Sequence, residues 1–172
     1  NTEVIWLMDD RAKILEVIEI FTSYPPLTSR LICQIRFMKR CMIHNSVKFY
    51  INNINNKYDD QLNVVKTNMD LNTPFYFSAW LSGFMEAEAC FSVTKNGSHY
   101  FSISQNNDTY LLNMIKNYFN ITVITRNPYK NCYVVKTSKK STLINIIEHC
   151  SKHPLLGDKS KSLNKLIKLF QN

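Results

Sequence analysis

The chain has 172 residues, a formal net charge of +8, 45% hydrophobic residues and 20% charged residues. That is enough for one domain with a buried core, and the composition is that of a soluble globular protein. No apolar run reaches the ~18 residues a membrane span needs, and no signal-peptide pattern opens the chain. The excess of 21 lysines and arginines over 13 aspartates and glutamates points to a polyanionic partner. Asn1, rather than Met, comes first, so the chain reads as cut or processed from a longer one.

The five cysteines (Cys33, Cys41, Cys90, Cys132, Cys150) include no C-x-x-C pair and lie among apolar or strand residues, which predicts buried free thiols. His44, His99, His149 and His153 form no metal-ligand spacing and take surface or packing roles.

In chain order, residues 3–8 read as a strand. Asp9-Asp10 then caps a helix whose apolar face carries Ile14, Leu15, Val17, Ile18 and Phe21. After Pro25-Pro26, a second helix sets Leu31, Ile35 and Met38 against Arg36, Lys39 and Arg40. Residues 44–72, rich in asparagine, read as a solvated linker with short helical pieces near 47–51 and 62–65. Thr73 is placed to cap a helix with Pro74 at its first position. Near Cys90 the helical period gives way to alternation, with Phe91 and Val93 on one side and Ser92 and Thr94 on the other. Asn96-Gly97 marks a two-residue hairpin between strands 90–95 and 98–105. Asp108 or Thr109 caps a helix carrying Leu111, Leu112, Ile115 and Phe119. Strands 121–126 and 132–137 follow, and two more helices flank His153-Pro154.

The two ends of the chain are alike. An offset of 129 positions puts Pro25 on Pro154, Ile14 on Leu143, Ile18 on Ile147, Leu27 on Leu156 and Arg30 on Lys159. This is an internal repeat. Residues 1–43 are the tail of a first copy, 44–72 a linker and 73–172 a complete second copy.

The helix after Pro74 has two unusual features. Ala79, Gly83 and Ala87 recur every fourth residue, a spacing that lets a second helix approach closely. Glu86 and Glu88 stand at its C-terminus, where the helix dipole disfavours negative charge. The nine residues Leu81-Ser82-Gly83-Phe84-Met85-Glu86-Ala87-Glu88-Ala89, with Ala79-Trp80 before and Cys90-Phe91-Ser92-Val93 after, resemble the signature of the LAGLIDADG homing endonucleases and group I intron maturases. Glu86 stands where the signature has its first Asp, and Ala89 where it ends in Gly.

The resemblance implies an α+β fold, an αββαββα half-domain with an antiparallel saddle-shaped sheet, plus the tail of the preceding repeat. It implies that Ala79, Gly83 and Ala87 pack against a second motif helix, from a missing N-terminal part or another chain. It selects Glu88 as the catalytic, Mg²⁺-binding acid; helix geometry alone leaves Glu86 and Glu88 both open. It further implies catalytic roles for Gln105 near the attacking water and for Lys159 and its counterpart Arg30 near the scissile phosphate. Outward strand positions Ser92, Thr94, Lys95, Ser102, Ser104, Arg126, Lys130 and Lys136 would contact nucleic acid. The implied function is metal-dependent cleavage of double-stranded DNA in intron homing, or assistance to group I intron splicing, in the mitochondrial matrix. The alternative is a scaffold without cleavage activity that binds RNA, as in a mitochondrial ribosome.

Overall fold

The computed structural model describes residues 7–69, 72–93, 97–122, 124–126, 132–168 and 170. The chain divides into two compact units, with the boundary between Lys66 and Thr67. Residues 3–6 of the expected first strand lie outside the described residues, and Leu7 and Met8 are irregular.

The first unit is helical. Helix α1 (Arg11–Ser23) is capped by Asp10, whose carboxylate accepts from the N–H groups of Ala12 and Lys13 at 2.8 and 3.1 Å. Helix α2 (Ser29–His44) ends at Asn45, whose left-handed backbone (φ 45°) closes it. Arg11 donates to the Met42 carbonyl at 3.0 Å and to the Asn45 side chain, tying the start of α1 to the end of α2. Ile18, Leu27, Cys33, Ile35, Phe37 and Val64 are among the buried apolar residues of this unit. The stretch expected as a solvated linker is instead folded onto α2. It forms α3 (Val47–Asn53), a 3₁₀ turn (Ile54–Asn56) and α4 (Gln61–Thr67). Three polar contacts hold it there: Gln34 to the Tyr58 hydroxyl (2.6 Å), Arg36 to Asp60 (2.8 Å) and Gln61 to Ser29 (2.9 Å).

The second unit runs α5 (Phe77–Glu88), β1 (Ala89–Val93), β2 (His99–Asn106), α6 (Thr109–Tyr118), β3 (Ile124–Arg126), β4 (Cys132–Thr137), α7 (Lys140–Lys152) and α8 (Lys159–Lys168). Its antiparallel sheet has the order β1-β2-β4-β3. This is the α+β arrangement expected. Alternation sends Ala89, Phe91, Phe101, Ile103 and Val135 under the helices, where they meet Leu81, Met85, Leu111, Leu112, Ile115, Phe119, Leu143 and Ile146. Phe101 packs edge-on against Phe119, with centroids 6.1 Å apart. Cys90 falls on the other parity and is exposed, a correction to the expectation of five buried thiols; Cys33 and Cys150 are buried.

Three boundaries differ from expectation. Thr73 caps no helix, because Phe77 N–H bonds the Pro74 carbonyl (3.0 Å) and closes a separate turn before α5 begins. The hairpin register sets Val93 opposite His99, one residue away from what a two-residue Asn96-Gly97 turn imposes. Residues 94–96 lie outside the described residues, and Gly97 has the positive φ (79°) that suits a longer connection ending in a left-handed residue. Strand β3 begins at Ile124, later than expected.

The repeat recurs in the backbone. The offset of 129 maps Arg11–Ser23 onto Lys140–Lys152, and both helices end alike: Tyr24 N–H bonds the Ile20 carbonyl and His153 N–H bonds the His149 carbonyl, each at 2.8 Å.

A buried polar chain lies beneath α5. Ser82 Oγ donates to the His153 carbonyl at 2.8 Å. It therefore accepts from His149 Nε2, 3.2 Å away, which leaves His149 Nδ1 to accept from the Tyr118 hydroxyl at 3.1 Å. Burial, reinforced by the neighbouring His153, pushes the His149 pKa down to about 4. Between pH 6.5 and 4 the unfolded chain thus binds a proton that the folded chain refuses. This contribution to stability is complete above about pH 6.5 and fades as pH falls towards 4, by roughly 3 kcal/mol. Urea unfolding at pH 7 and pH 5 is expected to show about 2 kcal/mol of this loss, and His149→Gln, which keeps a polar side chain but does not titrate, is expected to flatten it.

A second buried contact anchors α8. Glu86 Oε1 accepts from the backbone N–H of Lys159 at 3.1 Å, placing a carboxylate at the positive end of α8. Gly157 makes room for it: a Cβ there would stand 2.4 Å from Glu86 Oε1. Glu86→Ala and Gly157→Ala are each expected to cost about 1–2 kcal/mol in chemical denaturation. Because both disrupt one contact, the double variant is expected to lose clearly less than the sum of the two.

Candidate functional site

The α5 sequence assigns its four sides by a four-residue spacing. Phe77, Leu81 and Met85, followed by Ala89, form the buried row, each 1% exposed or less. One residue on, about 100° around the helix, Ser82 and Glu86 face α7 and α8 through the contacts just described. Two residues on, about 200° from the core row, Ala79, Gly83 and Ala87 are all exposed, and a Cβ built on Gly83 meets nothing within 4 Å. The last row is Trp80, Phe84 and Glu88, with the first two rings stacked at 4.8 Å and Glu88 exposed.

The helix holds through Glu88, so its geometry separates the two acids that the sequence left open. Glu86 is turned into the molecule and engaged by α8, whereas Glu88 lies beside the exposed small-residue row. The turn into β1 needs no glycine, because Ala89 has φ −75° and ψ 149°, ordinary extended backbone, and its Cβ is buried.

Other expected residues gather at the same end of the sheet. Ala89 pairs with Ile103, so Glu88 and Gln105 lie at one end of the β1–β2 ladder. Gln105 is half-buried, its amide 3.5 Å from the Asp108 carboxylate. The Glu86 contact brings Lys159, half-buried at the start of α8, towards the end of α5. Arg30 belongs to the first unit, where it is exposed and its guanidinium sits 4.9 Å over the Tyr58 ring. Its hydrogen bond to that hydroxyl, aided by Gln34, holds the Tyr58 pKa below the usual phenol range.

The sheet face turned away from the helices carries Ser92, Ser102, Ser104 and Lys136, with Ser102 opposite Lys136 and Ser104 opposite Val134. Thr94, Lys95 and Lys130 lie outside the described residues. Arg126 is the last described residue of β3 and pairs with Tyr133, while Thr125 beside it, opposite Val134, is exposed on the outward face. Sequence reasoning missed Tyr100, whose ring lies 3.9 Å beneath the Lys136 ammonium on the outward face. The alternation that singled out Ser102 and Ser104 reaches Tyr100 two residues earlier. No described helix is long and apolar enough to cross a membrane.

Residues 81–170 match the family model described as LAGLIDADG endonuclease. The chain is 43% identical, over 96% of its length, to a Debaryomyces hansenii protein named "Probable intron-encoded endonuclease aI3", and spans 29% of that relative's length. The solved structure of the LAGLIDADG meganuclease I-AabMI bound to uncleaved DNA matches with a TM-score of 0.68 and 20% identity, over 92% of this chain and 65% of that one; this likeness is one of fold. The LAGLIDADG homing endonuclease I-LtrWI bound to target DNA is 27% identical over 56% of this chain and 38% of its own, with a TM-score of 0.50. A signature helix with its small-residue row exposed, the α+β fold and the match over half the sequence agree, and the chain belongs to the LAGLIDADG endonuclease family.

Proposed function

We propose that this chain contributes one complete repeat, and the tail of another, to an intron-encoded endonuclease that cuts double-stranded DNA in the mitochondrial matrix. The observation that carries the reading is Glu88: exposed at the end of α5, next to an exposed stripe of small residues, while its neighbour Glu86 is occupied. Ala79, Gly83 and Ala87 receive the equivalent helix of a second repeat, from the parent protein or another chain. That helix brings a second acid to the seam.

The carboxylate of Glu88 is a hard, acceptor-only oxygen donor and suits a divalent cation such as Mg²⁺. One carboxylate does not make a metal centre, and no group of three or more His, Cys, Asp or Glu side chains gathers among the described residues. The fit therefore depends on the acid from the second helix. Once bound, such an ion supplies charge neutralisation at the scissile phosphate. Gln105 orients the attacking water through its amide, and Lys159 faces the negative charge of the phosphate, as Arg30 does in the other repeat. Ser92, Ser102, Ser104, Tyr100 and Lys136 lie along the major groove, with the hydroxyls reading base edges and the lysine meeting the backbone.

In a plasmid-cleavage assay with Mg²⁺, on the chain assembled with its second repeat, Glu88→Gln is expected to slow cleavage by about a hundredfold or more while DNA affinity stays within a few-fold. Undiminished cleavage would sink the assignment. RNA binding with no nicking by the unmodified assembly would instead favour the scaffold without cleavage activity.

Gly83→Leu tests the seam separately. Leucine outranks glycine as a helix former, and its Cβ at this exposed position has nothing within 4 Å, so the thermal midpoint of the chain alone is expected to hold or rise. Assembly with the second repeat, read by sedimentation, is expected to fail. A variant that still assembles places the seam elsewhere.

A further inference from the structure

The first unit contains a cleft of about 660 Å³ that the endonuclease reading does not use. Its lining includes Arg36, Lys39, Arg40 and Lys57 from α2 and from the turn after α3, together with Asn53 and Asp59. The cations are held by neighbours rather than left to swing freely. Lys39 donates to Thr22 Oγ1 at 3.0 Å, Arg40 lies 5.7 Å from the Phe37 ring centre, and Lys57 lies 5.1 Å from that of Tyr58. Arg36 is paired with Asp60 at 2.8 Å, so one carboxylate of the cleft is already neutralised. Three further cations thus converge on one concavity, against the single remaining carboxylate of Asp59. Without an anionic occupant they repel one another, and a linear polyanion relieves that repulsion.

We propose that this cleft binds unpaired nucleotides of an RNA strand. The volume accommodates a nucleotide or two, and a base that enters such a cleft has left its pairing partner, so the ligand is a looped or single-stranded segment. Lys39, Arg40 and Lys57 bind its phosphates. The choice of RNA over DNA rests on the acceptors in the same cleft. The Asn53 amide nitrogen is engaged by the Phe49 carbonyl at 2.8 Å, which leaves its oxygen to accept, and the Asp59 carboxylate is acceptor-only. A ribose 2′-hydroxyl donates to such groups, and deoxyribose has no counterpart. The site lies wholly within α2 and the segment packed on it. Its occupation does not depend on Glu88.

The test uses the whole chain and a fluorescein-labelled 15-nucleotide single-stranded RNA of mixed sequence, with single-stranded DNA of the same sequence, a DNA duplex and inorganic phosphate as the other probes. Lys39→Gln/Arg40→Gln/Lys57→Gln is expected to weaken RNA binding at least tenfold. It should also lower the slope of log K against log salt by about 2, as loss of three phosphate contacts on a single strand predicts. Duplex DNA binding is expected to stay within twofold. Asn53→Ala leaves the charge alone and is expected to reduce the preference for RNA over single-stranded DNA severalfold without changing the salt slope. Unchanged RNA binding in the triple variant overturns the proposal, and so does an equal loss for RNA and duplex DNA, which would mark general electrostatics. Full competition by millimolar inorganic phosphate also overturns it, in favour of a small-anion site. If the triple variant unfolds, the Asn53→Ala comparison decides by itself, and no effect there overturns the RNA assignment. Cleavage by the Glu88-bearing assembly is read independently, so failure of either proposal leaves the other standing.

Discussion

The second unit is arranged around a helix of twelve residues that must satisfy four different surroundings at once. A straight α-helix returns a side chain to nearly the same side every fourth residue, so a sequence of this length can hold four separate rows. In α5 the rows are large apolar residues for the core, Ser82 and Glu86 for the C-terminal helices, small residues for close approach, and two aromatic rings followed by Glu88. Moving the helix by one residue would bury Glu86 under the sheet and turn Met85 outward. The core row fixes the rotation, and the rotation fixes which acid is presented.

The polar contacts around Ser82 and Glu86 explain how that rotation is maintained where α5 leaves the hydrophobic core. Hydrophobic burial is non-directional, and a row of Leu, Met and Phe tolerates some rolling of the helix. The Ser82–His149–Tyr118 chain and the Glu86–Lys159 bond are directional, and both lie on one flank. They tie α5 to α7 and α8, the two helices that form the repeated part of the sequence. The repeat therefore does more than fill space: in the second copy it braces the helix that carries the acid. The close fit at Gly157, where an added Cβ would displace the Glu86 carboxylate, follows from the same bracing.

Much of this was legible in the residues, and what was not has identifiable physical causes. The period change at Cys90, the strand Cys132–Thr137 and the helix pair flanking His153-Pro154 are strong local signals, and the structure follows them. The helix start at Thr73 was misread because a proline at the first helical position and a proline in a preceding turn look the same until the Phe77 N–H finds the Pro74 carbonyl. The fold of residues 44–66 onto α2 was missed because Arg36–Asp60 and Gln61–Ser29 are long-range polar pairs with no apolar period to announce them. Glu86 could not be distinguished from Glu88 in the sequence because the difference lies in where α8 begins, seventy-odd residues later.

The distribution of charge separates two tasks that nucleic-acid binding combines. The described outward face of the sheet is mostly neutral, with Ser92, Tyr100, Ser102, Ser104, Thr125 and Val134 around the single described cation Lys136. The positive charge is concentrated on helices: Arg36, Lys39 and Arg40 on α2, and Lys159, Lys161, Lys165 and Lys168 on α8. A neutral, hydroxyl-rich surface discriminates between ligands by hydrogen-bond pattern but attracts them weakly, whereas helix-borne cations attract any phosphate backbone and read no sequence. On the proposed reading, carrying cations and hydroxyls on different elements would let affinity change through the helices without altering what the sheet reads.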